Sequence, residues 1–480
     1  MSIVRHTSYN FAGAVVPILV SLITVPLYLQ VIGFDRYGIL ALVWLVVGYF
    51  NLFDFGLGRA TAQQVASSTS EQDRNAAFWT ALFLAAAFAL LATVVAAPVA
   101  LIVFRAIKVT SSELRSEIVE SLPALIAAIP IWIMQGVVRG ALEGRRRFLA
   151  INVIQSGGAV ATAVVPLLTA LVVGPELPDL VLATLLVRGV VLLALSVAAK
   201  RSVPIRGAVW PGRTYALRLV RFGAWLTITN VVGPIMMLFD RFLIGAIAGA
   251  AAVAVYVIPF TLISQLALFP SSLSSAVFPK FAADAAMRTR ERDELVRMTA
   301  FLMTPAACAA VVLVGPFLHV WLGADIGTKS TPVAIVLMIG FWANGVAQLP
   351  FASLHAVGRT DTTAKLHLIE VVPYLLVLWA GLKIFGLAGA AAAWSLRATA
   401  DLLALIALDG VDRAVLRSIF VQLGGLIAVA ASLLVTDPQG AVRWILVSIT
   451  FAIVAMHLFR NAPDKLRDQL RECIVRAHVR

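Results

Sequence analysis

Long apolar stretches recur along the chain, and their length limits what it can fold into. About fourteen of them approach the roughly 20 residues with which a helix crosses the hydrocarbon core of a bilayer. They lie at 9–32, 37–58, 76–104, 119–141, 149–173, 180–199, 222–248, 251–279, 298–322, 331–357, 368–385, 387–408, 419–436 and 443–459. Because a bilayer offers backbone groups no partner, such segments must be helical. The sequence predicts an all-α polytopic membrane protein of about 14 helices. Only 385–387 divides two of the runs, so twelve or thirteen helices are the alternatives.

The positive charges collect in alternate loops. The chain is 61% hydrophobic and 13% charged, and its net charge of +13 comes largely from one side of the predicted membrane. The basic segments on that side are 145–147, 200–221, 280–297 and 460–480. By the positive-inside rule this is the cytoplasmic side, so both termini are predicted to be cytoplasmic. A basic surface facing anionic membrane lipids accounts for the charge, and no nucleic-acid partner is expected.

Sequence motifs of enzymes and metal sites are missing. No loop between the spans is long enough to fold as a catalytic domain, and the chain has no Walker loop, HExxH, GxSxG or Cys/His cluster. Cys308 and Cys473 offer no disulfide framework. The first apolar run exceeds the core of a signal peptide and is read as a retained helix. We therefore expect neither an enzyme nor a bound cofactor or metal.

Two short segments suggest an internal repeat. "GAVVP" (13–17) precedes Tyr37 by nearly the same spacing as "NVVGP" (230–234) precedes Tyr256. Six intervening spans would give both copies the same orientation, as a parallel repeat requires. The predicted organisation is an N-lobe at 1–205, a C-lobe of six further helices at 206–410, two extra helices at 411–460 and a cytoplasmic tail at 461–480.

Proline and the tail add two further expectations. Pro17 and Pro234 lie in the first helix of each predicted lobe, where proline removes a backbone hydrogen bond, and both are hinge candidates. In the tail, apolar residues recur at helical spacing between arginines. This pattern predicts an amphipathic helix on the cytoplasmic leaflet, with a disordered basic tail as the alternative.

Three segments resemble a known family. They begin "PLYLQVIGFDRYGIL" (26–66), "RFGAWLTITNVVGP" (221–262) and "HAVGRTDTTAKLHLIE" (355–403), and they are similar to bacterial polysaccharide and O-antigen flippases of the multidrug/oligosaccharidyl-lipid/polysaccharide (MOP) exporter superfamily. The resemblance implies a V-shaped bundle in the bacterial inner membrane that works by alternating access. It also implies a cargo, an undecaprenyl-diphosphate-linked oligosaccharide moved from the cytoplasmic to the periplasmic leaflet. H⁺ or Na⁺ is the candidate coupling ion, and polysaccharide polymerase or assembly proteins are candidate partners.

A diphosphate cargo calls for cations inside the membrane. Arginine suits phosphate because its planar fork donates two parallel hydrogen bonds. Arg188, Arg241 and Arg397 lie at similar depth, about 12–15 Å from the predicted periplasmic ends of their helices. The sequence therefore predicts that these three arginines bind the diphosphate together.

Other charges are predicted to support these arginines or to be structural. Adjacent residues point about 100° apart on a helix, so Asp240 and Arg241 are expected to face one another poorly. Arg397 has Asp401 one turn away as an intrahelical partner. Charges closer to the cytoplasmic ends of helices are read as interfacial or capping groups. They are Arg139, Asp54, Arg59 and Glu370. Related flippases can carry arginines in their first two helices, whereas helix one here has no charge and helix two has only Asp54.

Two other functions remain open at this point. A multidrug cation antiporter of the same superfamily would need carboxylates to dominate its cavity. Four intramembrane arginines face four carboxylates here, so the resemblance decides between the two classes. A membrane-embedded polymerase or glycosyltransferase ranks third because the chain lacks a catalytic loop. Tryptophans within spans are expected to be mainly packing residues, although they could stack on sugars. They are Trp44, Trp132, Trp342, Trp379 and Trp394.

Overall fold

The computed structural model describes residues 3–49, 56–68, 70–202, 207, 239–436 and 440–460. Within these residues the secondary structure is helical, without a strand. Eleven of the helices are long and apolar enough to cross a membrane. The prediction of an all-α, multi-pass membrane protein is confirmed.

The helices follow the predicted spans closely. In the first half of the chain they are α1 (Ile3–Tyr49), α2 (Leu57–Ser67), α3 (Glu71–Ala106), α4 (Ser112–Gly144), α5 (Phe148–Val172), α6 (Leu177–Ser202) and the described part of α7 (239–248). In the second half they are α8 (Ala250–Ser264), α9 (Leu268–Ala283), α10 (Ala285–Leu322), α11 (Ala324–Ala356), α12 (Thr360–Asp409), α13 (Arg413–Val435) and α14 (Ala441–Arg460). A single 3₁₀ turn joins α8 to α9. Of the span predicted at 222–248, only the end falls within the described residues.

Two of these helices are pairs of spans joined by a glycine. Gly33 in α1 has φ 76° and Gly386 in α12 has φ 61°, and both are non-helical. The left-handed region is open to glycine at little cost, so each position can reverse the chain without a loop. The short separation at 385–387 is thus a real division. Near it, Gly381 and Gly389 approach so closely that a Cβ on either would meet the backbone of the other.

The chain forms two compact units, Met1–Ala254 and Val255–Arg480. Residues 239–254 belong to the first unit, although the predicted N-lobe ends at 205. The division into lobes of six helices plus two extra helices stays a prediction.

The first unit also contains a short helix, α2, which was not predicted from the sequence. In α2, Leu57, Thr61 and Val65 recur every four residues and are buried. Gly58 of this helix contacts Gly140 of α4 backbone to backbone. Because neither residue carries a side chain at the crossing, the two helices can touch. The signal was present in the sequence but was too short and too polar to resemble a span.

This crossing gives the first testable prediction. Gly140→Ala would drive a Cβ into the Gly58 backbone, and overpacking of this kind destabilises by about 1–3 kcal/mol. We expect a lower melting temperature for the purified variant. Gly157→Ala on α5 is the matched control, since its Cβ meets nothing within 4 Å and alanine favours a helix. Equal melting temperatures for the two variants would contradict the close contact.

Aromatic packing and a buried hydrogen bond stabilise the second unit. Trp342 and Trp394 are fully buried, and Trp394 packs on Phe260 and Phe341 with centroid distances of 5.1 and 4.5 Å. The Trp342 indole donates to Thr304 Oγ1 at 2.9 Å. These two tryptophans are packing residues, as expected. Trp379 is 53% exposed on the outer face of its helix.

Candidate functional site

Arg188 is the candidate residue with the most unusual surroundings. Its guanidinium lies over the ring of Trp132 on α4, 4.4 Å from the centroid, and the Gln135 side chain donates to the Arg188 carbonyl at 2.8 Å. The Nε atom of Arg188 is buried without a hydrogen-bond partner. Within the part of the chain that the structure describes, no carboxylate forms an ion pair with it. Arg188 is about 16 Å along α6 from Leu177, near the middle of the span.

A cation in this position is energetically costly. An arginine at the centre of a membrane helix costs about 2.5–3.5 kcal/mol, and such residues usually pair or serve a function. The Trp132 ring recovers part of this cost through a cation–π contact but accepts no conventional hydrogen bond. The donors of the fork are therefore available to an anion.

Arg241 has a different environment. Both Arg241 and Asp240 are buried, at 2% and 0% exposure, and Arg241 Nη1 donates to Asp240 Oδ1 at 2.7 Å. The same carboxylate oxygen accepts the Arg241 backbone N–H at 2.8 Å. The expectation that these neighbours face one another poorly was wrong. The long arginine side chain folds back along the helix and reaches the shorter aspartate.

Arg397 also corrects an expectation. Its guanidinium pairs with Glu370, with Nη1 3.6 Å from Oε2. Asp401 instead lies 3.5 Å from His367 Nε2. The two halves of α12 are antiparallel and face one another, so these pairs cross between spans and do not run along one helix. The pairing predicted from the one-turn spacing of Arg397 and Asp401 is therefore not the one observed.

The observed pairing predicts a rescue. Arg397→Leu leaves the Glu370 carboxylate buried and uncompensated, which destabilises a protein by about 3–5 kcal/mol. We expect little folded Arg397→Leu in the membrane and recovery in the double variant Arg397→Leu/Glu370→Leu. Fluorescence-detected size-exclusion chromatography measures the folded amount. The matched control is Arg397→Leu/Asp401→Leu, and equal recovery there would contradict the assignment.

The remaining predicted residues have simpler surroundings. Arg139 pairs with Glu143 one turn later at 2.8 Å and is 40% exposed, which agrees with an interfacial role. Arg59 is exposed on α2. Pro17 lies within a continuous helical stretch of α1, and its role as a hinge stays a prediction. Asp54, Pro234 and the tail at 461–480 lie outside the described residues.

The three arginines of the predicted diphosphate site are divided between the two units. Arg188 and Arg241 belong to the first unit and Arg397 belongs to the second. A common diphosphate site for all three stays a prediction.

Comparison with known proteins identifies the family. The sequence profile described as polysaccharide biosynthesis protein matches residues 3–283, which is more than half of the chain. The chain belongs to this family. A Shigella flexneri protein described as a candidate O-antigen transporter is 28% identical over 411 residues, covering 84% of this chain and 97% of the relative.

Two solved structures of other proteins have a fold similar to that of this chain. The lipid II flippase MurJ in an inward closed conformation matches with a TM-score of 0.68 at 13% identity, covering 94% of this chain and 99% of MurJ. An inward-facing multidrug resistance MATE transporter of the MOP superfamily matches with a TM-score of 0.67 at 17% identity, over 86% and 99% of the two chains. These relatives are named as a transporter and a flippase.

The structure adds charged residues that the sequence analysis did not single out. Arg36 donates twice to Glu117, at 2.9 and 2.5 Å, and Glu117 also accepts the backbone N–H of Leu177 at 3.1 Å. The Glu117 carboxylate thereby joins the part of α1 that follows Gly33 to α4 and α6.

Asp35, the residue before Arg36, makes a second set of contacts in the first unit. Its carboxylate accepts from Thr110 Oγ1 and from the Ala251 backbone N–H, both at 3.0 Å. Nearby, Lys108 exchanges backbone hydrogen bonds of 3.0 Å with Gly245 and Ala250. The connection between α3 and α4 is thereby tied to the turn between α7 and α8. The only sequence signal was a pair of adjacent charges, "DR", beside the glycine that separates two spans.

Proposed function

We propose that the chain is a flippase for lipid-linked oligosaccharides whose lipid carrier is undecaprenyl diphosphate. It moves the oligosaccharide unit of an O-antigen or another surface polysaccharide from the cytoplasmic to the periplasmic leaflet of the inner membrane. Family membership and the similarity to a candidate O-antigen transporter support a polysaccharide cargo. The observation that carries the proposal is Arg188, a guanidinium in mid-span without a carboxylate among the described residues.

The chemistry of Arg188 matches the diphosphate part of such a cargo. The head group must lose water to cross the membrane, and a guanidinium fork replaces that water with two parallel charge-assisted hydrogen bonds. The Trp132 ring lies against the guanidinium and limits its movement. A cation held in this way meets the anion without first breaking an ion pair.

A multidrug cation antiporter is the second candidate, favoured by the structural match to a MATE transporter. Such a protein needs carboxylates that are open to a cationic drug. The Asp240 carboxylate is bonded to Arg241, and the Glu370 carboxylate lies beside Arg397. These pairings favour the anionic cargo.

The test is a deletion of the gene with complementation. Under the proposal, undecaprenyl-linked repeat units accumulate on the cytoplasmic leaflet and surface polysaccharide disappears, and the wild-type gene reverses both effects. Unchanged lipid-linked intermediates in the deletion strain would refute the proposal. Increased sensitivity to cationic drugs with normal polysaccharide would support the antiporter instead.

A further inference from the structure

We propose that a cluster of cations at one end of the first unit binds the head group of an anionic phospholipid. The members of this basic cluster are Arg145, Arg146, Arg147, Lys200 and Arg201. They lie where α4 ends, α5 begins and α6 ends, and all of them are exposed. The inference goes beyond the proposed function and does not depend on it.

A hydrogen bond between two segments of the chain brings these cations together. Arg145 Nε donates to the carbonyl of Ser202, the last residue of α6, at 3.1 Å. The turn at 145–147 therefore lies against the basic end of α6. Among the described residues, no carboxylate forms an ion pair with a member of the basic cluster. The neighbouring Glu143 is already bonded to Arg139 at 2.8 Å. The positive charges of the cluster are thus left without an anion.

The turn holds Arg146 in a backbone conformation that favours glycine. Its φ is 56°, and in the part of the chain that the structure describes no other residue except glycine has a positive φ. The Arg146 N–H donates to the Glu143 carbonyl at 2.9 Å. The Arg147 N–H donates to the Leu142 carbonyl at 3.0 Å. Glycine is the usual residue in this type of helix ending. Because an arginine is strained there and such strain is typical of functional positions, the charge of Arg146 is the feature to explain.

The turn also places its cations beside the N-terminus of α5. Arg147 is the N-cap residue of this helix, and its side chain makes no capping hydrogen bond. A helix N-terminus carries a partial positive charge, so it repels adjacent arginines, which also repel one another. The C-terminus of α4 offers about half a negative charge, which is too little to balance them. An external anion would remove the repulsion.

Exposed apolar side chains continue from the cations into the membrane. Leu149 and Val153 are exposed on α5, and Leu193 and Val197 are exposed on α6. The two residues of each pair are four positions apart and therefore lie on one face of their helix. Because α5 has 25 residues, it is about 37 Å long, and its first turn reaches the head-group level of a bilayer. Acyl chains can lie against these faces while phosphates meet the arginines.

A phospholipid with two phosphate groups fits the basic cluster better than a soluble anion does. Arginine donates parallel hydrogen bonds to phosphate oxygens, and basic groups at the ends of membrane helices bind head groups such as that of cardiolipin. The cations form two groups, at 145–147 and 200–201, and each group is followed by an apolar helix face. A soluble anion would leave both faces without a partner. Cardiolipin is therefore the lipid with which to test the site.

Native mass spectrometry of the purified full-length protein with added cardiolipin tests the site. The wild type is expected to retain one cardiolipin molecule. Arg146→Gly/Arg147→Ala should raise the dissociation constant at least about tenfold, because each cation near an anionic surface contributes about fivefold in affinity. The matched control is Lys329→Ala/Lys365→Ala, which removes two exposed cations that pair within their own helices and should leave binding unchanged. Equal weakening in both double variants would mean that net charge alone attracts lipid, and the site would be refuted.

The single change Arg146→Gly separates lipid binding from folding. Glycine relieves the left-handed strain, so the lipid-free variant should melt at or above the wild-type temperature. Cardiolipin should raise the melting temperature of the wild type, because a ligand that binds the folded state stabilises it. This increase should be smaller in Arg146→Gly. An equal increase in the two proteins, or no increase in the wild type, overturns the proposal.

Competition experiments identify the source of the phosphate. Phosphatidylethanolamine, which has no net charge, should bind more weakly than cardiolipin, and equal binding would mean that only the apolar faces hold the lipid. If inorganic phosphate at constant ionic strength displaces cardiolipin, the occupant is a soluble anion. If undecaprenyl diphosphate at equal concentration displaces it, the occupant is the lipid carrier of the proposed cargo. Each of these three results overturns the phospholipid assignment. Failure of the proposed cargo function would leave cardiolipin binding unaffected, so the two failures are distinguishable.

Discussion

Arg188→Ala is expected to reduce oligosaccharide export by at least about tenfold, since a hydrogen bond to a charged group contributes about 1.5–3 kcal/mol and each 1.4 kcal/mol is a factor of ten. Removing a cation that has no carboxylate partner among the described residues exposes no new buried charge. The folded amount of the variant should therefore stay at the wild-type level. The measurement is surface polysaccharide normalised to folded protein in the membrane.

Arg188→Lys distinguishes the geometry of the fork from its charge. Lysine offers a compact point charge that cannot donate two parallel hydrogen bonds, so we expect only partial recovery of export. Trp132→Ala should have a smaller effect than Arg188→Ala, because it removes the ring that positions the guanidinium but leaves the charge. The control is Arg139→Ala, which removes an exposed arginine paired with its own helix. Normal export by Arg188→Ala would contradict the role of Arg188 on which the proposed function rests.

The spans were predictable because the bilayer imposes one length and one composition on every crossing helix. Even the division at 385–387 could be read, since two apolar runs of nearly full length flank Gly386. The short helix α2 was missed because it is too short and too polar to resemble a span, and its contact with α4 depends on two glycines far apart in the chain. Sequence spacing indicates which residues are neighbours along one helix. It does not indicate which residues of different helices are in contact.

The same limit explains the errors in the candidate site. One-turn spacing paired Arg397 with Asp401, but the hairpin of α12 brings Glu370 nearer to the guanidinium. Angular spacing separated Asp240 from Arg241, although a flexible arginine can reverse along the helix. Depth alone singled out Arg188, and the structure adds what the sequence could not, namely a ring below the guanidinium and no carboxylate among its described neighbours.

Glu117 joins three helices through a single carboxylate, so its removal should affect folding strongly. It accepts two hydrogen bonds from Arg36 and one from the Leu177 N–H, and it is 9% exposed. Breaking a buried ion pair by removing one partner costs about 3–5 kcal/mol, and the Leu177 donor loses its acceptor as well. Because the Arg36 side chain is 28% exposed, water compensates for part of this loss, and we expect about 2–4 kcal/mol for Glu117→Ala.

The pair Arg36 and Glu117 can be separated from the backbone contact by a double-mutant cycle. Arg36→Met removes the ion pair but leaves Glu117 bonded to Leu177, so it should destabilise less than Glu117→Ala. The double variant should lose less stability than the sum of the two single losses, because each single change already breaks the same ion pair. Thermal unfolding in detergent at fixed protein concentration gives the three values. Glu120→Ala, an exposed carboxylate one turn further along α4 that accepts from Ser116, is the control and should be near neutral. Additive losses in the double variant would mean that the carboxylate acts through Leu177 alone, and the second span would then be held at this end by other contacts.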